Sequence, residues 1–574
     1  ADRTIIQWEK NDLEALGLLK IDVLALGMLS AVRKCLDLVS DYSDEPLTIQ
    51  KIPAEDPAVY EMMCAADTIG VFQIESRAQM SMLPRLKPRC YYDLVIQIAI
   101  VRPGPIQGEM VHPYLNRRSG REAISYPSEA VKSVLERTLG VPIFQEQVMQ
   151  LAMVAAGFSG GEADGLRRAM AAWKRKGGLE HYREKLVTGM LDRGYEPSFA
   201  EQLFNQIKGF GDYGFPESHS ASFALIAYVS SWLKCYHPAA FCCALLNSQP
   251  MGFYAPAQLI KDAQRHGVEV LPAEVNESVV GCSLEASDTV RASKAIESPD
   301  SSEWRKRPRV QGAAQSQRLR IGFNLVKGLS AQAAVAIVEA RRGGAYVSIQ
   351  DLVFRTGIDR RDLEALAAAD ALRGLAGDRH RAFWHAAGVI TAQGYAVSHS
   401  RAGSLAHADR PIADLFDDAA SGDSDFGLGV MLPLASESQN VAGDYAATGF
   451  TLRRHPLALL REHLDCFGAN SSAQLGKLGN DQATKVAGLV TCRQRPMTAS
   501  GVTFLTLEDE AGHMNVVVWP ALGERLRPIL RQAMLIGVVG RVQESEGVIH
   551  VIADNLVDLT SWLGELSLSS RDFT

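Results

Sequence analysis

Lys20 and Asp22 stand two residues apart in GLLKIDVLALG, residues 17–27, inside an otherwise apolar run. In a strand, alternate side chains share a face, which puts Leu18, Lys20, Asp22 and Leu24 on one side. A buried carboxylate without a partner is costly, so Asp22 needs a cation, a metal ion or water beside it. Two readings are open on these residues alone. In one, Lys20 and Asp22 pair with each other at a strand end on the surface. In the other, Asp22 is a metal-binding carboxylate on a sheet edge and the neighbouring Lys20 attracts phosphate.

A second group with chemical potential is the basic run GGEADGLRRAMAAWKRKGGLEHYREK, residues 160–185. Arg167, Arg168 and Lys174 sit near one helix, where guanidinium groups can grip phosphate oxygens bidentately. The alternative is a solvated helix face. Adjacent arginines in apolar LRRAM favour the first reading, because two neighbours are not expected to take the same exposed face. The segment FPESHSASFALIAYVSSWLKCYHPAAF, residues 215–241, reads as a long helix with Ser218 as N-cap, His219 in the first turn and Pro238 as breaker. By itself, His219 reads as a capping or core residue.

Two further segments suit nucleic acid. LVKGLSAQAAVAIVEARRGG, residues 325–344, has the form hairpin, serine cap, helix. Gly328 between Lys327 and Ser330 lets backbone N–H groups and a helix N-terminus approach a phosphate without reading sequence. A weaker copy lies at residues 356–377. From about 484 to 558 apolar and polar residues alternate, as in a small five-stranded barrel. Such barrels hold single strands by basic and aromatic contacts, which makes Arg493, Arg495, Phe504 and Trp519 candidates. The competing reading packs Phe504 and Trp519 into the barrel core. DSDF at 423–426 imitates a paired-carboxylate site, but its Gly- and Ser-rich surroundings offer no strand to hold it, and it is rejected.

The elements that must position these groups are spread over 574 residues, too many for one core. With 47% apolar and 22% charged residues the composition is that of a soluble globular protein, and the net charge of −7 confines any polyanion binding to local basic clusters. No apolar run is long enough to cross a bilayer and no signal peptide is visible, so a cytoplasmic location and no membrane partner are expected. The nine cysteines lack CxxC or His–Cys ligand spacing and read as reduced, mostly buried small hydrophobes. The text begins mid-stream at ADRTIIQW, as a fragment would.

Several ordered blocks resemble the bacterial C-family DNA polymerases, the DNA polymerase III alpha subunits, and most closely their error-prone branch. They are LLKIDVLALGML, GVFQIESRAQM (70–80), VRPGPIQGEM (101–110), PIFQEQVMQLAMVAAGFSGGEADGLRRAM (142–170) and ESHSASFALIAYVSSWLKCYHPAAF (217–241). The resemblance implies a multidomain, mainly α protein with a C-terminal small β-barrel (OB-fold) and an α+β palm remnant at the N-terminus. It implies palm over 1–40, helical fingers over 41–280, a mobile loop or linker over 281–318 and a helix-hairpin-helix unit over 319–392. A tether with a short helical segment (393–478), the barrel (479–562) and a tail (563–574) follow.

By the same resemblance, Asp22 is the third of three palm aspartates holding two Mg²⁺ ions, the other ligands lying outside this chain, and Lys20 faces the triphosphate. Arg167 and Arg168 clamp the incoming nucleotide, and Ser218 and His219 line its sugar. The implied partners are primer–template DNA, deoxynucleoside triphosphates, accessory translesion proteins and, through them, the sliding clamp. The implied role is translesion synthesis in DNA repair and damage-induced mutagenesis, and the fragment is not expected to be active alone. A replicative alpha subunit and a non-catalytic nucleic-acid-binding scaffold are the alternatives.

Overall fold

The computed structural model describes residues 15–17, 26–43, 45–101, 110–176, 179–209, 216–252, 254–286, 317–388, 433–495, 501–545, 548–564 and 571–573. Lys20, Asp22 and the rest of the expected palm strand lie outside the described residues, as does the rejected DSDF segment.

Helix α1, Leu26–Tyr42, buries Met28, Ala31, Val32, Cys35 and Val39, the three-and-four spacing of one apolar face. The expected start at Leu29 was a turn late. α2, Arg77–Leu86, begins at Ser76, whose hydroxyl accepts from the Gln79 N–H. α3, Tyr91–Ile100, is buried continuously from Asp93 to Ile100 and packs along the helix Glu217–Tyr236; its two buried polar residues are paired, Asp93 with Arg118 and Gln97 with Gln79. α4 is Gly160–Lys176. α5, Glu217–Tyr236, starts after Pro216, which holds the N-cap position; Ser218 is the second helical residue and does not cap. Proline fits that boundary because its fixed φ and missing N–H cost nothing there. α5 ends at Tyr236 with His237 non-helical before Pro238, as a breaker requires, and the same Pro238 opens α6, Pro238–Leu246, which packs between α1 and α7, Pro256–Arg265. A proline can thus mark a helix start as well as a stop.

A small sheet follows. β1 (Val270–Leu271) pairs in parallel with β3 (Gln317–Arg320), and β3 pairs antiparallel with β2 (Ser283–Ala286). Residues 283–286 and 317–318, expected inside a mobile loop, are therefore strand. Glu285 ties them together through Arg320 Nε at 2.6 Å, a cross-strand ion pair that polar composition alone does not announce. The hairpin unit comprises α8 (Ala331–Arg341), α9 (Ile349–Thr356) and α10 (Arg360–Ala368), with α11 (Glu437–Ala447) against α10.

The C-terminal barrel is built from β4 (Ala483–Gln494), β5 (Thr503–Glu508), β6 (His513–Val518), β7 (Leu535–Ser545) and β8 (Val548–Asp558). The order β5-β6-β8-β7-β4 closes because β4 also pairs with β5. Closure removes free sheet edges. Leu505, Leu507, Val516, Val518 and Val551 are fully buried in its interior. At Gly540 a β-carbon would sit 2.1 Å from the Ile552 carbonyl oxygen, so only glycine fits beside the bulge in β7. No helix among the described residues is long and apolar enough to cross a membrane, and the nine cysteines are free.

Candidate nucleotide and DNA interface

Both arginines of α4 reach the same carboxylate. Arg167 donates from Nε (3.0 Å) and Nη2 (2.8 Å) to Asp164 Oδ1, and Arg168 Nη2 lies 3.0 Å from Asp164 Oδ2. Their side chains are 40% and 69% exposed. The expectation that neighbours would avoid a common exposed side is therefore corrected: two long side chains curl back one helical turn onto one acid. Hydrogen bonding from Arg167 leads the causes that hold the Asp164 carboxyl below its usual range. One carboxylate facing two guanidiniums leaves an excess positive charge, the condition a polyphosphate can exploit.

Ser218 is exposed in the first turn of α5, and the His219 ring packs at a tilt against Phe223 with centroids 4.1 Å apart. The N-terminus of α5 is already served by an acid: the Glu217 N–H donates to Glu146 Oε2 at 3.0 Å, and Tyr92 donates to Glu217 at 2.8 Å. Arg137 Nη1 lies 3.5 Å from Glu217 Oε1, so two acids and one guanidinium meet at this helix start.

In the first hairpin, Gly328 has φ +86°. Lys327 Nζ donates to the Tyr445 and Ala446 carbonyls at the end of α11, at 3.0 and 3.2 Å. Ser330 accepts from the Ala333 N–H and donates to Asp362 Oδ2 at 3.0 Å. Lys327 and Ser330 thus tie the unit together. The second hairpin has the same design: Gly357, φ +66°, then Asp359 accepting from the Asp362 N–H, with Arg360 and Arg361 exposed behind it.

Arg493 donates from Nε to the Leu530 carbonyl at 2.8 Å and from Nη2 to the Ala533 carbonyl, which fastens the end of the helix Arg527–Gln532 to β4. Arg495 is free to meet a ligand, its side chain 57% exposed and Glu524 3.9 Å away. Trp519 is 54% exposed, so it does not fill the barrel core, and Phe504 is only half-buried.

Among the described residues one group has metal-like spacing, Asp67, Asp262 and His266. It does not fit a pair of Mg²⁺ ions. Lys234 Nζ already takes the cation's place, 3.0 Å from Asp67 and 2.8 Å from Asp262. Sequence reading passed over this lysine, although a lone lysine inside apolar SSWLKCY is a visible signal that an acid must meet it.

The barrel rests on α7 through the β5–β6 hairpin. Lys261 of α7 pairs with Glu508, His455 Nε2 lies 3.7 Å from the same carboxylate and His513 Nε2 3.9 Å from it. Burial acts to raise the Glu508 carboxyl, yet His455, Lys261 and His513 outweigh it and hold it low. Burial pulls the His513 ring down from 6.5 to about 4 despite Glu508, with Arg265 and Lys261 also facing it. Burial does the same to His237, against Trp232 and the Tyr42 hydroxyl. His266 moves oppositely: burial would lower it, but Asp67 and Asp262 raise it.

The sign of the pH effect follows. Between about pH 6.5 and 4 the unfolded chain binds protons that His513 and His237 refuse when folded, so stability falls with pH by up to ~1.4 kcal/mol per unit for each ring. The His266 contribution is complete below pH 6.5 and lost as pH rises through its raised value. Melting temperature measured across pH 4–8 is therefore expected to peak near neutrality. A flat profile from 6.5 to 4 contradicts the burial of the two neutral rings.

Comparison with known families agrees with this arrangement. Residues 28–194 match the bacterial DNA polymerase III alpha subunit finger domain, 267–382 the helix-hairpin-helix motif and 484–559 the OB-fold nucleic acid binding domain. The chain is 58% identical over 572 residues to an error-prone DNA polymerase of Methylococcus capsulatus, covering all of this chain and 52% of that protein. It is 53% identical to proteins of the same name from Alkalilimnicola ehrlichii and Pseudomonas savastanoi pv. phaseolicola, with all of this chain and 51% of each covered. The chain spans about half the length of these curated relatives. Carrying finger, hairpin and barrel in that order, it belongs to the bacterial DNA polymerase III alpha-subunit family and sides with the error-prone members.

Proposed function

We propose that the chain supplies the nucleotide-gripping fingers and DNA-holding modules of an error-prone, DNA-directed DNA polymerase. The observation that carries this reading is identity above half along the whole chain to proteins named error-prone DNA polymerase, with the three family modules in order. In this reading Arg167 and Arg168 leave Asp164 for the incoming triphosphate, Ser218 and His219 border its sugar, and Lys20 faces its phosphates. The hairpin backbone at Gly328 and Gly357 takes duplex phosphates, with Arg360 and Arg361 more available than Lys327. Arg495 serves the barrel, whereas Arg493 supports it.

Asp22 is proposed as one ligand of a Mg²⁺ pair whose other ligands are not among the described residues. When bound, such ions activate the primer hydroxyl and stabilise charge on the transferring phosphoryl group. The side chains described above bind and orient nucleotide and DNA. The role extends to damage-induced mutagenesis and repair in the cytoplasm, with accessory translesion proteins and the clamp as partners, on the strength of the relatives' names and the resemblance.

Template-directed primer extension by the intact polypeptide that carries this chain tests the reading. Arg168→Ala is expected to raise its nucleotide KM about tenfold, the worth of one charge-assisted hydrogen bond of roughly 1.5 kcal/mol. An unchanged KM would remove Arg168 from the clamp.

A further inference from the structure

On the barrel wall, Leu505, Val516, Val518 and Val551 point inward and are fully buried. Their neighbours Phe504, Thr506, Asn515, Val517, His550 and Ile552 therefore point outward, since strand side chains alternate. Register keeps them together: Phe504 faces Val517, Asn515 faces His550 and Val517 faces Ile552. Near the start of β5, Arg495 Nη2 and Pro520 both lie against Gly501, and Trp519, next to Pro520, is exposed. An aromatic ring on an outward sheet face is what a stacking position for single strands requires.

That face is not open. Arg77, the first residue of α2 in the fingers, sets its guanidinium carbon 5.0 Å from the centre of the Phe504 ring and donates from Nη1 to the Leu505 carbonyl at 3.4 Å. The contact is poorly compensated. Arg77 Nη2 is buried with no hydrogen-bond partner, and no carboxylate among the described residues offsets the charge. A guanidinium on an aromatic ring occupies the surface a base would stack on. It also gains hydration, or a phosphate partner, when it leaves.

We infer that the outer face of β5, β6 and β8 is a track for single-stranded DNA with Phe504 as a stacking position, and that Arg77 of the fingers covers that position in the docked arrangement. The inference rests on the reading of the barrel as a nucleic-acid-binding module. The Lys261–Glu508 pair holds the same junction from a second point. Strand entry thus requires the fingers and barrel to part at Arg77, which couples template capture to the position of the fingers.

The experiment is fluorescence anisotropy of a labelled oligo-dT with the chain as it stands. Arg77→Ala is expected to tighten binding at least about fivefold, the lower end of what one uncovered stacking contact is worth. Phe504→Ala in that background should abolish the gain. The paired change Lys261→Met with Glu508→Gln frees the junction without leaving an orphan charge and should tighten binding as well, which covers the case of an Arg77 variant that misfolds. Unchanged or weaker binding by both junction variants overturns the cover, as does a gain that survives Phe504→Ala. If Trp519→Ala weakens binding while the junction variants do nothing, the barrel reading stands and the cover falls. If no variant binds oligo-dT, both fall.

Discussion

Replacing Lys234 by methionine is expected to lower the unfolding free energy by about 3–5 kcal/mol, the cost of stranding buried charges by deleting one partner. The Lys234 side chain is 1% exposed. Its ammonium donates to Asp67, Asp262 and the Ile69 carbonyl, the last at 3.0 Å. Burial opposes its charge, yet Asp262 and Asp67 more than restore it and its pKa is raised. Without it, two largely buried carboxylates face each other with His266, 2.7 Å from Asp67, as the remaining cationic partner. Neutralising all three, as Lys234→Met with Asp67→Asn and Asp262→Asn, should recover most of the loss. Urea unfolding measures both. A single variant that loses less than about 1 kcal/mol, or a triple variant no better than the single, contradicts the account. The effect reaches function because this hub ties α5 to α7, the helix on which Lys261 holds the barrel.

The sequence shows its fold wherever one physical rule dominates. The apolar text of Leu94–Ile100, broken only by Gln97, announces a buried element, and the alternation after Lys485 announces a strand. It misleads where a residue serves two ends. Pro238 reads as a stop and is one, but it also opens α6, and Ser218 reads as a cap while Pro216 holds that position. Polar 283–286 reads as loop because its stabilising partner, Arg320, is 35 residues away from Glu285. The site is legible by residue type and illegible by partner. Arg167 and Arg168 are visible in LRRAM, but their joint return to Asp164 depends on the helical turn between them. Arg493 and Arg495 look equivalent in text, yet only the three-dimensional position of the Leu530 carbonyl separates a structural strap from an exposed base. Arg77, Lys234 and Lys261 were missed altogether, since each meets its partner across a long stretch of chain.

The largest effect belongs to Asp22. In the intact polypeptide, Asp22→Ala is expected to abolish primer extension, because a carboxylate that holds the catalytic ions cannot be replaced by a methyl group. DNA binding should persist, since the hairpin and barrel modules lie elsewhere in the chain. Measuring both on the same preparation separates a metal ligand from a folding residue. The decisive assay is therefore Mg²⁺-dependent extension of a primer–template by wild-type and Asp22→Ala protein at matched DNA occupancy. The account predicts extension by the first and none by the second; equal extension by both would contradict it.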